Sequence, residues 1–448
     1  MRATPNTDAV VDFVRSSRGR VLPPEVLDAA LFCVTDWFGV ALGAHGQEPV
    51  DVLRRVIQGW GTQGRAQILL GGTATAAAAA LVNGTMAHCL DFDDTHVGSI
   101  AHLSGPIFAA ALAVGGECGA SPHEILCAFA TGFEVGGRLG SAGLGIAINA
   151  RHLHSTGVFG CLGAAAAASV LYQLDDLGVR RAMGLAATQV AGLTGSFGSP
   201  AKPFHAGKAG MNGVLAAQMA RGGFHAGMDV LEPGGGLDRA LVQDAAVQVH
   251  ELDFAEGWEI TRNTYKPYAS CLLTHPIIDA ARQLRGVCDE SEIQKVLICV
   301  NPLAIQLAGK PEPATPFEGK FSLAFCAALA LTGRAVSQTD FSDETIADPR
   351  LRGLMNKAEL VPLADMAVTS GTLTLVTEGG ATHSVNTPMA RGNPEHPMSW
   401  EELREKFVSL ASPAIGQRSE PLFASLQRFN EHDDLSAVLG LIKSGVSE

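Results

Sequence analysis

From Ala74 to Arg221 the chain keeps returning to alanine and glycine. The stretches Ala74–Val82, Gly163–Leu171, Arg180–Gly192 and Ala209–Arg221 are rich in small residues and lack the alternation of a half-buried strand. Such runs favour helices, and their small side chains let helix axes approach closely. Pro23–Leu42 adds a buried helix, with Val26, Leu27, Ala30, Leu31, Val34, Trp37, Phe38 and Ala41 at helical spacing. Ser121, Pro122 and Glu124 read as an N-cap, a first-turn proline and a capping-box partner. The opening "MRATPNTDAVVDFVRSSRGR" is the start of an amphipathic helix rather than a signal peptide.

The texture changes after Tyr265. Ile293–Val300, Gly371–Thr377 and Thr382–Thr387 are β-branched and partly alternating, while Phe317–Gly333 and Ser342–Lys357 read as helices. A second capping box, Ser399 to Glu402, opens helices that return to the first domain. The expected fold is therefore mainly α: a large all-helical domain from residues 1–264 with 400–448, and a smaller α+β domain from 265–399.

Charge and cysteine usage exclude several classes. The net charge is −13, with 32 Lys and Arg against 45 Asp and Glu, and no basic run tracks a phosphate backbone. Nucleic acid is not an expected partner. The nine cysteines are scattered without a C-x-x-C pair, which fits a reduced cytoplasmic setting and neither a disulfide framework nor a zinc ribbon. Apolar runs such as Ala74–Val82 and Pro106–Val114 fall short of the roughly 18 residues of a membrane span, so no membrane partner is expected.

Four segments gather polar groups within apolar surroundings. "HCLDFDDTHVGSIAHLSG" (88–105) holds Asp91, Asp93, Asp94, Thr95, His96 and His102; "RHLHSTG" holds Arg151, His152 and His154. "SPAKPFHAGKAGMNG" places Lys202, His205 and Lys208 in a loop before a helix, and "TYKPYASCLLTHPIIDAA" carries Lys266, Tyr268, Cys271 and His275. Asp91, Asp93, Asp94 and His96 have metal-ligand chemistry, but their spacing is neither an EF-hand nor H-E-x-x-H. Each group also has a purely structural reading: Asp or Thr as caps, lysines as solvated charges, Cys271 as a small buried apolar residue, His275 as a helix cap. No G-x-S-x-G elbow or dinucleotide fingerprint is present.

Taken in order, "TDWFGVALG", "AHCLDFDDTH", "HLHSTGVFGCLGAAAAA", "AKPFHAGKAGMNGVLAAQMARGGF", "YKPYASCLLTHPIIDAA" and "GNPEHPMSWEELREKF" resemble the MmgE/PrpD family, which includes 2-methylcitrate dehydratase, cis-aconitate decarboxylase and iminodisuccinate epimerase. The resemblance implies a helical domain, a smaller α+β lid, a homodimer, a site in the cleft between the domains, and no metal or organic cofactor. It places functional positions on Asp91, Thr95, His102, His154, Lys202 and Lys266. Arg151, His96, Tyr268 and His275 join them as candidate substrate contacts. The chain departs from the family pattern in places. His-Pro-Ser reads His102-Leu103-Ser104, one extra residue separates Thr95 from His102, Cys271 stands where decarboxylase-type members carry histidine, the dehydratase "PAEFHAQ" is missing, and Phe325 replaces a lid tyrosine.

The chemistry implied is proton removal beside a carboxylate of a small polycarboxylate, the substrate and expected partner. Lys202, Lys266 and a protonated His102 or His154 would hold the carboxylates and the developing enediolate. Grouped cations depress one another's pKa, which frees one to act as base. Cys271 could return a proton from the opposite face. The missing dehydratase and decarboxylase patterns favour epimerisation of an amino-dicarboxylate such as iminodisuccinate. Dehydration of a 2-methylcitrate-like acid, cis-aconitate-type decarboxylation and a non-catalytic carboxylate-binding protein are the alternatives.

Overall fold

A computed structural model describes residues 6–442, apart from 62, 243–246, 248–249 and 256. The first five residues of the N-terminal stretch and the last six of the chain lie outside the described residues. Two compact units are formed. One holds Met1–Gly195, Lys202–Asn263 and Ser399–Glu448; the other holds Ser196–Ala201 and Thr264–Met398. The protein is mainly α.

In the first unit the helix Pro24–Gly43 runs through the core. It is long and apolar enough to cross a membrane, but 78% of its apolar window is buried inside the fold, as a core helix requires. It packs against the helices Ala76–Cys89 and Trp400–Ile415. Trp37 meets Phe38 and Phe108 edge-on, at centroid distances of 5.1 and 4.9 Å. Burying each such ring contributes roughly 2–3 kcal/mol.

The Ala/Gly texture has a direct steric reason. In the helices Pro122–Leu139 and Ser155–Leu171, a Cβ on Gly132 would lie 2.5 Å from the Gly163 carbonyl oxygen, and one on Gly163 would lie 2.5 Å from that of Gly132. Neither helix could keep its place with alanine there. The Ser121 capping box forms as read, with Glu124 accepting from the Ser121 N–H at 2.8 Å. So does that of Ser399, which starts Trp400–Ile415.

Three expectations for this unit need correction. It is not purely helical, because Ala66–Gln67 pairs antiparallel with Thr73–Ala74. Lys202, His205 and Lys208 do not lie in a loop: the helix Ala201–Arg221 already includes them, since Pro203 sits in its first turn, where a missing N–H costs nothing. The helix expected over Arg180–Gly192 runs from Asp176 to Ala187, capped by Asp175.

The second unit carries a four-stranded sheet. Ala358–Pro362 is its edge, parallel to Ile293–Val300, which pairs antiparallel with Gly371–Thr377, and that strand pairs antiparallel with Thr382–Thr387. Gly371–Thr377 alternates buried and half-exposed residues, the signature of one covered face. The helix His275–Leu284 covers it and packs on Leu323–Leu331. Both helices expected here are interrupted. Ser322 caps a new start at Leu323, and Asp348 before Pro349 splits Ser342–Lys357 into Asp343–Ala347 and Pro349–Met355.

Candidate active site

The site in the first unit begins where the helix Ala76–Cys89 stops. Leu90 caps it, and Asp91 turns into the left-handed region at φ 51°, a conformation that aspartate tolerates better than most side chains. This turn sends Asp91, Asp93 and Asp94 in different directions within four residues. Ile100 makes a second left-handed turn at φ 52°, and the helix Ser104–Cys118 begins just after His102.

Asp91 and Asp93 organise the cations and imidazoles. The Lys202 ammonium forms a buried ion pair with Asp91 Oδ1, and His102 Nε2 stands 3.9 Å from the same oxygen. His102 Nδ1 is 3.3 Å from Asp93 Oδ2 and 3.4 Å from the Thr95 hydroxyl. The other side of the Asp93 carboxylate takes His88 Nδ1 at 2.8 Å. The His88 ring lies between two others, 4.4 Å from His102 and 5.8 Å from His154, nearly parallel to the latter. His154 Nδ1 in turn meets His205 Nδ1 at 3.1 Å. One lysine, two carboxylates and four imidazoles thus share one region.

Burial decides the charge states. His88 is pushed down to about 3 by loss of water, which outweighs the attraction of Asp93, so it is neutral and its Nδ1–H donates to Asp93. His154 is held well below its ordinary value, first by burial and then by Lys202 and the other imidazoles, and burial takes His205 down to about 4. Burial works to raise Asp93, but His102 and His88 outweigh it and keep the carboxylate ionised. Asp94 is the opposite case. Burial raises it to about 7, with Asp93 and Asp36 adding to the effect, while Ser104 and Asn263 donate to its oxygen and the Cys33 thiol lies at 3.8 Å.

Of the remaining sequence candidates, His96 and Arg151 belong to the first unit and four belong to the second. His96 is occupied by Glu259 at 2.9 Å and the Ser99 hydroxyl at 2.9 Å. Arg151 is exposed at the end of the helix Gly145–Ala150. Lys266, Tyr268, Cys271 and His275 belong to the second unit. There Lys266 is wholly buried, the Tyr268 hydroxyl donates to Asp279 at 2.6 Å, and His275 Nε2 donates to the Ser270 carbonyl at 3.3 Å. The Cys271 N–H is bound by the Lys320 carbonyl, and its thiol is half-buried.

His88, Asp91 and His102 bring ligand atoms within 4.8 Å of one another, a spacing a divalent ion could bridge. The Lys202 ammonium, however, already shares Asp91 Oδ1, and a second cation there would meet direct repulsion. The donor set suits an ammonium better than a metal. Sequence reasoning gave no catalytic or substrate-binding role to His88, Asp93 or His205, and weighed Asp93 only as a metal ligand. The signal for His88 and Asp93 was a histidine in the last helical turn with a carboxylate five residues on, a separation that only the Asp91 turn brings within a hydrogen bond.

Residues 8–250 match the MmgE/PrpD N-terminal domain, and residues 268–428 match the MmgE/PrpD C-terminal domain. The chain is 27% identical over 386 residues to human cis-aconitate decarboxylase, covering 82% of this chain and 79% of that protein. It is 26% identical over 385 residues to the mouse cis-aconitate decarboxylase, covering 82% and 78%. Against the cis-aconitate decarboxylase of Aspergillus terreus the figures are 26% over 405 residues, 82% and 81%. With both domains matched in order along most of its length, the chain belongs to the MmgE/PrpD family.

Proposed function

We propose that this protein is a lyase that removes CO2 from a small polycarboxylate of the cis-aconitate type. The observation that carries the reading is the Lys202 and Asp91 ion pair beside His102, with the buried, neutral His154 in the same cluster. An ammonium in a buried setting attracts a substrate carboxylate strongly, and a neutral imidazole can deliver a proton. When the bond to the departing carboxylate breaks, its electron pair stays on carbon and spreads toward a neighbouring carboxylate. Lys202 and His102 stabilise that charge, His154 protonates the carbon, and CO2 leaves.

The names of the similar proteins support decarboxylation over epimerisation of iminodisuccinate, which had been expected from missing motifs. The assignment of Lys266 and Cys271 to the reaction rests on the family resemblance. Proton NMR in D2O with cis-aconitate, hydroxy acids and amino-dicarboxylates tests the proposal. The expected result is CO2 release from the tricarboxylate, with one deuterium placed on the product carbon. Exchange at an α-carbon with inversion would replace this reading by epimerisation, and a new olefin without CO2 by dehydration. Binding without turnover, weakened in Lys202→Met, would make the protein a carboxylate binder.

A further inference from the structure

On the helix Ala201–Arg221, Lys202, His205 and Lys208 stand three residues apart, so each is the surface neighbour of the one before it. Lys202 is buried on Asp91, whereas His205 and Lys208 are half-buried. His205 Nδ1 is 3.1 Å from Nδ1 of His154, which ties this flank of the helix to the cluster around Asp91 and Asp93. Burial, then the field of Lys202, then that of Lys208 takes His205 down to about 4, so both ammonium groups act on one imidazole. Lys208 is poorly compensated where it stands. Its Nζ donates a 3.5 Å hydrogen bond to the Gln189 carbonyl, an oxygen that already accepts from Asn212 Nδ2 at 3.1 Å. Among the described residues no carboxylate lies within ion-pair distance of Lys208, while Lys202 has Asp91. In a chain with 45 Asp and Glu against 32 Lys and Arg, a half-buried ammonium lacking an acidic partner is a place for an anion from outside.

We propose that Lys208 holds a substrate carboxylate beyond the one held by Lys202, and so selects a tricarboxylate over a dicarboxylate. The inference deepens the decarboxylase reading and rests on it for the identity of the ligand. Six helical residues separate the two lysines by about 9 Å along the axis, and helical side chains lean toward the N-terminus, which inclines Lys208 back toward His205. Two flexible four-carbon stems close that gap onto one small branched acid, with the neutral rings of His154 and His205 between them. A dicarboxylate can satisfy Lys202 and leaves Lys208 unpaired. A tricarboxylate pairs both.

The test uses the full chain and two saturated acids with the same three-carbon backbone, tricarballylate and glutarate, which differ by the central carboxylate. Calorimetric titrations at low salt compare wild type with Lys208→Met and Lys208→Arg. Wild type should bind tricarballylate about ten-fold or more tighter than glutarate, and Lys208→Met should lose that advantage while its glutarate affinity stays within about two-fold, the effect of one charge-assisted hydrogen bond. Lys208→Arg, which keeps the charge, should retain part of the preference. With cis-aconitate as substrate, Lys208→Met should raise KM and leave kcat near wild type. Equal weakening of both acids in Lys208→Met would make the lysine a diffuse surface field and overturn the subsite, as would unchanged affinity for both. A Lys208→Arg variant as indifferent between the acids as Lys208→Met would assign the loss to packing rather than charge, and also overturns it. Failure of the decarboxylase reading shows separately: no CO2 from any polycarboxylate, with the preference for tricarballylate present in wild type and lost in Lys208→Met, removes the reaction and leaves the subsite standing.

Discussion

Lys406, on the helix Trp400–Ile415, donates a 2.7 Å hydrogen bond to the carbonyl of Phe92, the residue between Asp91 and Asp93. Its ammonium also lies 2.6 Å from Asp36 and 4.1 Å from the centroid of the Phe92 ring. A residue more than three hundred positions away in sequence therefore pins the turn that aims both carboxylates. Removing one partner of a buried pair leaves the other charge uncompensated, at a cost of about 3–5 kcal/mol. Lys406→Met should lower stability by that order in denaturant unfolding. Asp36→Leu combined with Lys406→Met should be milder than either change alone, and a double mutant that is worse than both would refute the pairing.

Asp93 shares one carboxylate between two imidazoles, and this predicts a kinetic rather than a binding defect. Asp93→Asn removes the charge that fixes the Nδ1 proton on His88 and on His102. If proton transfer and charge stabilisation depend on those tautomers, kcat should fall about 100-fold or more while KM changes little. Steady-state kinetics with the substrate found by NMR checks this. A variant with raised KM and unchanged kcat would assign Asp93 to substrate binding instead.

Much of this was legible before the structure, for unequal physical reasons. Helix periodicity, capping boxes and the shift to β-branched residues are local signals, and Ile293–Val300, Gly371–Thr377 and Thr382–Thr387 form as strands with the bounds read from sequence. Ala358–Pro362 escaped notice because an edge strand needs neither alternation nor a donor at its last residue, and it carries Glu359 and ends in proline. Lys202, His205 and Lys208 read as loop residues because their Gly and Pro neighbours signal turns, whereas first-turn proline and interhelical packing favour the helix. At the site, residue types were visible but pairings were not. That Asp93 faces His88, that His96 faces Glu259, and that Lys406 holds Phe92 all depend on the left-handed turn at Asp91 and on contacts distant in sequence.

Asp94 makes the electrostatics of this loop measurable through stability. Its pKa rises from 3.8 to about 7 on folding, chiefly because burial penalises the charge. Where the folded value lies above the unfolded one, the native state binds the extra proton. The stability this gives is fully present below the unfolded pKa and is lost as pH rises through the folded pKa. The loss therefore accrues between about pH 4 and pH 7. Buried His88 works in the opposite sense, since its pKa falls from 6.5 to about 3 and its contribution disappears as pH drops through that window. A direct scan of wild type would mix the two, so the comparison that isolates Asp94 is with Asp94→Asn. The amide oxygen can still accept from Ser104 and Asn263 and never ionises. Relative to wild type, Asp94→Asn should gain about 2–3 kcal/mol between pH 5 and pH 8, the linkage value for roughly two pH units at one buried site. Paired urea titrations at the two pH values measure the difference. A constant offset between the proteins would mean that Asp94 is ionised in the folded state throughout, held so by its donors in spite of burial.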